Sequence, residues 1–269
     1  MGFKNIKLND GREIPAIGYG TWKIGYGEDA ISQIQQSISL GFDHVDTAQV
    51  YRNETETGDA LIRSGIERKD VWITTKFSGS VPGLSIRASI EESLKKLGVD
   101  YVDLYLIHSV NAIKGDIAGA WREFELLKKE GLAKSIGVSN FSVDNLKELF
   151  RTAEVKPAVN QILLHPYVYS KQKELIEFQN KHNIVTEAYS PLIPITHQPG
   201  GPVDKPVAEI GKKLGLEPEQ VLLAWVKAKG AVILSTSSKE QRLKRYLAVG
   251  DIDLSEADVE AIDAAGRQH

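Results

Sequence analysis

The sequence predicts a (β/α)8 barrel, closed at its bottom by an N-terminal β-hairpin and built as a single domain over residues 1–269. Three observations predict it. Short β-rich runs alternate with longer helical patterns along the chain. The strand runs are largely apolar, as a parallel sheet covered on both faces requires. Eight such units in 269 residues match the roughly 250 residues typical of such a barrel.

The elements follow in order. The opening GFKNIKLNDGREIP reads as a hairpin turning at Asn9-Asp10-Gly11, placed to plug the closed end. AIGYG (16–20) is the first barrel strand, and residues 28–40 are its helix. HVDT (44–47) is followed by a helical pattern over 55–64, and VWITTK (71–76) by one over 84–97. In that third helix Ile86, Ile90, Leu94 and Leu97 share a face, Glu92 can pair with Lys96, and Gly98 marks the stop. YVDLYLIH (101–108) precedes 116–130, AKSIGVS (133–139) precedes 142–152, and PAVNQI (157–162) precedes 170–182. IVTEAYS (184–190) leads to two helical patterns, 203–214 and 218–229, which count as one connection with an extra helix. AVILST (231–236) is the eighth strand and 238–248 the eighth helix. The rival fold, a doubly wound dinucleotide-binding sheet, normally carries G-x-G-x-x-G after its first strand. Here GYGTWK (18–23) places Lys23 where the third glycine belongs.

Composition narrows the function. The formal net charge is -3, from 33 basic and 36 acidic residues, so no basic footprint for nucleic acid is present. The chain has no cysteine, which excludes disulfides, thiol catalysis and cysteine-based metal sites. The polar N-terminus MGFKNIKLND lacks the apolar core of a signal peptide, and Ile6 makes a poor myristoylation site. No run of 18 apolar residues exists. These features suggest a cytoplasmic chain with no membrane partner, in which the sequons at Asn53 and Asn140 are chance matches. A monomer is expected.

In a barrel of this kind, chemistry sits at the C-terminal ends of the strands. Those ends carry Thr21-Trp22, Asp46 with Tyr51 beyond, Lys76, His108, Ser139-Asn140, Asn160-Gln161, Tyr189-Ser190 and Ser235-Thr236. Each has an ordinary reading: a lysine at a strand end is usually a surface residue, a lone histidine a satisfied core residue, an aspartate a turn or cap. Together they say more, because a barrel aims them at one place.

In its ordered motifs the chain resembles the aldo-keto reductase family. GFDHVDTAQVYRNE (41–54), TTK, LIH, GVSNF, NQILLHP and AYSPL carry the resemblance, from about residue 8 to residue 248. The stretch SPLIPITHQPGGPVDKP (190–206) and the STSSK segment look like a fungal branch that reduces ketones and conjugated polyketones or dicarbonyls. The family implies a (β/α)8 barrel that binds NADPH without a Rossmann fold and reduces aldehydes or ketones to alcohols. Its catalytic tetrad maps onto Asp46, Tyr51, Lys76 and His108. No metal site is implied. His44, Asp46 and His108 could be imagined as ligands, but no supporting spacing accompanies them.

Carbonyl reduction needs a hydride on carbon, which the nicotinamide supplies, and a proton on oxygen. Tyr51 is the expected acid. An unperturbed tyrosine titrates near 10, too high for efficient donation at neutrality. Lowering it by about three units takes roughly 4 kcal/mol. An ammonium at about 4 Å supplies a term of that order at an effective dielectric near 20. Lys76 is expected to do this, with Asp46 holding it charged and aimed. His108 is expected to bond the carbonyl oxygen and orient it. Two other readings use the same residues. One is an aldolase-type Schiff base on Lys76, which needs a neutral amine that Asp46 disfavours. The other is a non-catalytic NADPH-sensing subunit.

By the same resemblance, Ser139, Asn140 and Gln161 hold the nicotinamide carboxamide and Tyr189 stacks on the ring. Ser190 and Leu192 lead a loop over the pyrophosphate, and Thr21 and Trp22 lie near the ring and the substrate. Thr236, Ser237, Ser238, Lys239 and Arg242 suit the 2′-phosphate of NADPH (NADP+), although the usual lysine is Thr236 and the usual E-N pair is Arg245-Tyr246. The substrate side is assigned Trp22, Tyr51, Phe77 and His108. It too departs from the pattern. Ser109 stands where many members carry Trp, and Phe77-Ser78-Gly79 follows the lysine where they carry another aromatic. With the chain ending at His269 and no long tail, an open, less selective pocket for small carbonyl compounds is expected.

Overall fold

Strand alternation sorts the sheet residues into two cores, and that sorting places every residue of the candidate site. The computed structural model describes residues 2–269. Two short strands, β1 (Ile6–Lys7) and β2 (Glu13–Ile14), pair antiparallel with Ile6 opposite Ile14. Eight more form a closed parallel barrel: β3 (Ile17–Gly20), β4 (His44–Asp46), β5 (Trp72–Phe77), β6 (Val102–Ile107), β7 (Ala133–Ser139), β8 (Val159–Leu163), β9 (Val185–Tyr189) and β10 (Val232–Ser235). The barrel closes where β10 meets β3, with Ile233 opposite Ile17.

Successive strand residues point to opposite faces. Val45, Ile73, Tyr105, Ile107, Ile136, Val138, Ile162, Ala188 and Ile233 join helix residues such as Ile34, Ile90, Trp121 and Trp225 in an outer core. Their neighbours in sequence turn inward. At the bottom of the barrel these are apolar: Trp72, Leu104, Leu106, Val159 and Val232 pack with Leu8 and Ile14 of the hairpin. The hairpin therefore caps the barrel floor, as its sequence suggests. Gly11 has φ of 87°, which the tight turn requires. Asp10 in that turn accepts hydrogen bonds from Lys128 Nζ at 3.0 Å and Ser135 Oγ at 2.7 Å. Arg12 reaches Asp103 at 2.6 Å, which ties the plug to β6.

The helices depart from expectation at four places, the smallest being a single helical turn, Ile193–Thr196, after β9. Helix Pro166–Lys181 begins four residues before the expected position 170, with Pro166 in the first turn, where its fixed φ suits a helix start and its missing N–H costs nothing. Helix Val143–Leu149 stops short of residue 152. A further helix, Glu256–Gly266, lies beyond the last expected element. Its only large apolar residues are Val259 and Ile262, so periodicity hides it. A start signal was present, because Ser255 Oγ caps the Asp258 N–H at 3.2 Å. This helix packs on the outer layer, where Asp263 accepts from Trp225 Nε1 at 2.7 Å and from Lys229 Nζ at 2.6 Å. No helix among the described residues is long and apolar enough to cross a membrane.

Candidate active site

Above the apolar floor the inward-facing residues become polar. Strand period 2 brings His44 and Asp46 of β4, Thr74 and Lys76 of β5, Gln161 of β8 and Glu187 of β9 into the upper interior. Lys76 is fully buried, and its Nζ makes three contacts: Asp46 Oδ1 at 2.6 Å, the Thr47 carbonyl oxygen at 2.9 Å, and Tyr51 Oη at 3.5 Å. Tyr51 is carried by the single turn Gln49–Tyr51, whose last N–H donates to the Ala48 carbonyl at 3.0 Å. Its ring meets His108 edge-on, with centroids 5.7 Å apart. The four residues of the expected tetrad thus lie together at the barrel mouth.

Burial alone works against the Lys76 ammonium. The adjacent Asp46 carboxylate and Tyr51 outweigh it and hold the lysine above its ordinary range. Tyr51 corrects the sequence-based expectation. Burial raises its phenol above 10, and although Lys76 pulls it down as expected, Asp46 opposes that pull and the net shift is upward. The phenol is therefore firmly protonated at neutral pH. His108 is pushed down to about 4 by burial and then by Lys76. It is neutral near pH 7 and carries one ring proton.

Asp46 and Lys76 are supported by Gln161, expected among the cofactor residues, and by two residues to which the sequence reading gave no site role, Glu187 and Asn53. Gln161 Nε2 donates to Asp46 Oδ2 and to Glu187 Oε2, each at 2.9 Å. Glu187 is fully buried and its carboxyl lies above the usual range, first through burial and then through the nearby Asp46 charge. Asn53, 1% exposed, clamps two loops: it donates to the Thr21 carbonyl at 2.8 Å and accepts from the Thr21 and Thr47 hydroxyls. The alternation of VTEAY held the signal for Glu187, since a residue two before Tyr189 shares its inward face.

The remaining expected site residues divide. Ser139, Asn140, Gln161 and Tyr189 are brought together, but as partners of one another. Ser139 Oγ donates to the Gln161 carbonyl at 2.9 Å, Asn140 Nδ2 to Ser139 Oγ at 3.0 Å, and Tyr189 Oη to Asn140 Oδ1 at 2.8 Å. Asn140 and Ser190 adopt φ of 57° and 54°, which turns the chain sharply as it leaves the barrel. Trp22 is half exposed at the rim, with Lys23 Nζ 4.1 Å from its ring centre. Three of the expected side chains are engaged elsewhere. Thr21 is completely buried and its hydroxyl is committed to Asn53, so it braces the loop. Phe77 follows the inward Lys76, so period 2 turns it into the outer core; Ser78 reaches His108 instead. Leu192 is likewise packed into the outer core.

Beyond β10, Thr236, Ser238, Lys239 and Arg242 are exposed and Ser237 half-buried, around the start of helix Glu240–Ala248. Nearby cations are spent: Lys244 pairs with Glu240 at 2.6 Å and Arg245 with Glu219 at 2.7 Å. Lys239 and Arg242 form no ion pair among the described residues, and no side chain caps the helix start. Two free cations beside hydroxyls and uncapped N–H groups are a donor set that fits a phosphate.

The same buried histidines set a pH dependence. His44, fully buried, is pushed down to about 4 by burial. A histidine kept neutral by the fold stabilises it fully above the unfolded value of 6.5, and the contribution is lost as pH falls toward 4. For His44 the loss is on the order of 3 kcal/mol. Glu187 acts with the opposite sign, because its raised carboxyl favours the folded chain at low pH. The difference between wild type and His44→Asn isolates the histidine. Urea unfolding from pH 8 to 4 should show wild type losing stability relative to the variant as pH falls. A pH-independent difference would rule this account out.

The family model for the aldo/keto reductase family matches residues 16–267. The chain is 37% identical over 264 residues to the NAD/NADP-dependent indole-3-acetaldehyde reductase of Schizosaccharomyces pombe, covering 95% of this chain and 92% of that one. The crystal structure of an aldo/keto reductase from Brucella melitensis superposes with a TM-score of 0.89 at 40% identity, covering 98% of this chain and 99% of that one. A crystal structure of an aldo-keto reductase complexed with NADPH gives a TM-score of 0.87 at 33% identity, over 97% and 87% of the two chains. Strand order, hairpin plug and family match agree: the chain belongs to the aldo/keto reductase family.

Proposed function

We propose that Asp46, Tyr51, Lys76 and His108 are the reaction centre of an NADPH-dependent reduction of aldehydes or ketones to alcohols. The observation that carries this reading is Lys76 Nζ, buried and bridging Asp46 Oδ1 at 2.6 Å and Tyr51 Oη at 3.5 Å beneath the barrel mouth. When bound, the nicotinamide supplies the hydride. Tyr51 keeps its proton at neutral pH and gives it to the carbonyl oxygen as the hydride reaches carbon. Lys76 stabilises the phenolate that results. Asp46 keeps Lys76 charged and is itself held by Gln161. His108 bonds the carbonyl oxygen from the other side.

Ser139, Asn140, Gln161 and Tyr189 would hold the nicotinamide end, with Asn140 and Gln161 exchanging some of their mutual contacts for the carboxamide. Ser190 would flank the pyrophosphate. Thr236, Ser237, Ser238, Lys239 and Arg242 would take the 2′-phosphate. The free cations support NADPH over NADH, and a relative named as NAD/NADP-dependent leaves room for both. Trp22, Tyr51 and His108 would line the substrate side. Ser78 and Ser109 beside His108 leave it open, which supports small aldehydes, ketones and dicarbonyls as substrates. The same geometry counts against a Schiff base, because an ammonium held charged by Asp46 is a poor nucleophile. A cysteine-free chain supports a cytoplasmic location. A single-domain monomer completes the reading, and size-exclusion chromatography tests its monomeric state.

Titration with NADPH and with NADH, followed by quenching of tryptophan fluorescence, should show tighter binding of NADPH. Addition of aldehydes, ketones and dicarbonyls should then oxidise NADPH steadily. Binding without turnover across the panel would favour a sensing role, and no binding of either cofactor would overturn the proposal.

A further inference from the structure

Two loops meet over the barrel mouth. One leaves β5 as Ser78-Gly79 and the other leaves β6 as His108-Ser109. Gly79 has φ of 60°, and a Cβ there would lie 2.2 Å from the Ala112 carbonyl oxygen. Only glycine permits this approach. The second loop is shaped for it, since Ser109 Oγ caps the Ala112 N–H at 3.4 Å and starts the turn Val110–Ile113. The closeness of the loops brings Ser78 Oγ to 3.1 Å from His108 Nδ1. The same oxygen accepts from the Val50 N–H at 3.2 Å, and the Ser78 N–H donates to Gln49 Oε1 at 3.4 Å. Ser78 is thus anchored by the turn that carries Tyr51 while it touches His108.

Counting protons decides the direction of the Ser78–His108 bond. A serine hydroxyl has one proton and two lone pairs, and a neutral imidazole has one N–H and one lone pair. Val50 occupies one lone pair of Ser78. If Nδ1–H donated to the other, the hydroxyl proton would have no acceptor among the described residues, and Nε2 would present a bare lone pair. If the hydroxyl donates to Nδ1, every group is used and the ring proton sits on Nε2. That nitrogen has no partner among the described residues, and His108 is partly exposed at the mouth. A lone pair there would repel a carbonyl oxygen, whereas an N–H would stabilise the charge that grows on it.

We propose that Ser78 is a positioning residue that donates to His108 Nδ1, fixes the Nε2–H tautomer and aims that N–H at the substrate carbonyl oxygen. This rests on the role given to His108 above. The state of the ring supports it, since burial and Lys76 keep His108 neutral, with a single proton to place.

The test is long-range 1H–15N spectroscopy of the full chain labelled in histidine at pH 7, with His108 assigned from a His108→Gln spectrum. Wild type should show Nδ1 unprotonated and Nε2 protonated. Ser78→Ala should give mixed tautomers and lower kcat/KM for an aldehyde about ten- to a hundredfold, mainly in kcat, with NADPH affinity unchanged. Ser78→Thr, which keeps the hydroxyl, should restore both. Gly79→Ala, which forces the loops apart with Ser78 intact, should also mix the tautomers. A wild-type ring protonated on Nδ1, or a Ser78→Ala variant with unchanged shifts and rate, would overturn the proposal. Absence of turnover in wild type would sink the reductase reading while leaving the tautomer measurement to decide this one.

Discussion

Tyr51→Phe should lower kcat/KM for carbonyl reduction by about a thousandfold and leave NADPH affinity nearly unchanged. The substitution removes one oxygen, and that oxygen is where the proton for the product alcohol is held, 3.5 Å from Lys76 Nζ. General acid catalysis by a positioned side chain contributes about 10²- to 10⁴-fold, which sets the size of the loss. The ring remains, so its edge contact with His108 and the Lys76 ammonium 5.1 Å from its centre persist. Fluorescence titration should therefore report near-native cofactor binding, while steady-state rates collapse. Because burial holds the phenol above 10, wild-type reduction should show no loss from Tyr51 ionisation between pH 6 and 9. A Tyr51→Phe variant that turned over at the native rate would move the acid role elsewhere, with His108 as the next donor in reach.

Much of this site was legible because strand alternation and motif order carry it. Asp46, Lys76 and His108 each stand at or near a strand end, and a barrel sends such residues to one mouth. What the sequence hides has the same origin. Phe77 is adjacent to Lys76 in sequence, yet adjacency in a strand means opposite faces, and its ring lies in the outer core. Thr21 looked free at a strand end until Asn53, 32 residues away, claimed its hydroxyl. The direction of the Tyr51 shift was also hidden. A lysine partner can be guessed from sequence, but the depth at which the phenol is buried cannot, and here burial is the larger effect. Glu187 sat in plain view within an inward strand, but its meaning depends on Gln161 standing between it and Asp46.

Lys76→Met should abolish turnover and also cost about 3–5 kcal/mol of stability, a pairing that separates it from Tyr51→Phe. The ammonium is fully buried and serves three acceptors: Asp46, the Thr47 carbonyl and Tyr51. Methionine fills a similar volume and satisfies none of them. Gln161 still donates to Asp46 Oδ2, so the carboxylate keeps one neutral donor, but its charge loses the only cation in contact with it among the described residues. An uncompensated buried charge is what makes such single deletions expensive. The double variant Asp46→Asn with Lys76→Met removes that charge. It should recover most of the stability in urea unfolding while remaining inactive, because no cation is left beside Tyr51. If Lys76→Met proved as stable as wild type, the pair would not be the strut drawn here. If the double variant regained turnover, Tyr51 would donate without help from the lysine, and the chemistry assigned to the Asp46–Lys76–Tyr51 chain would have to be given up.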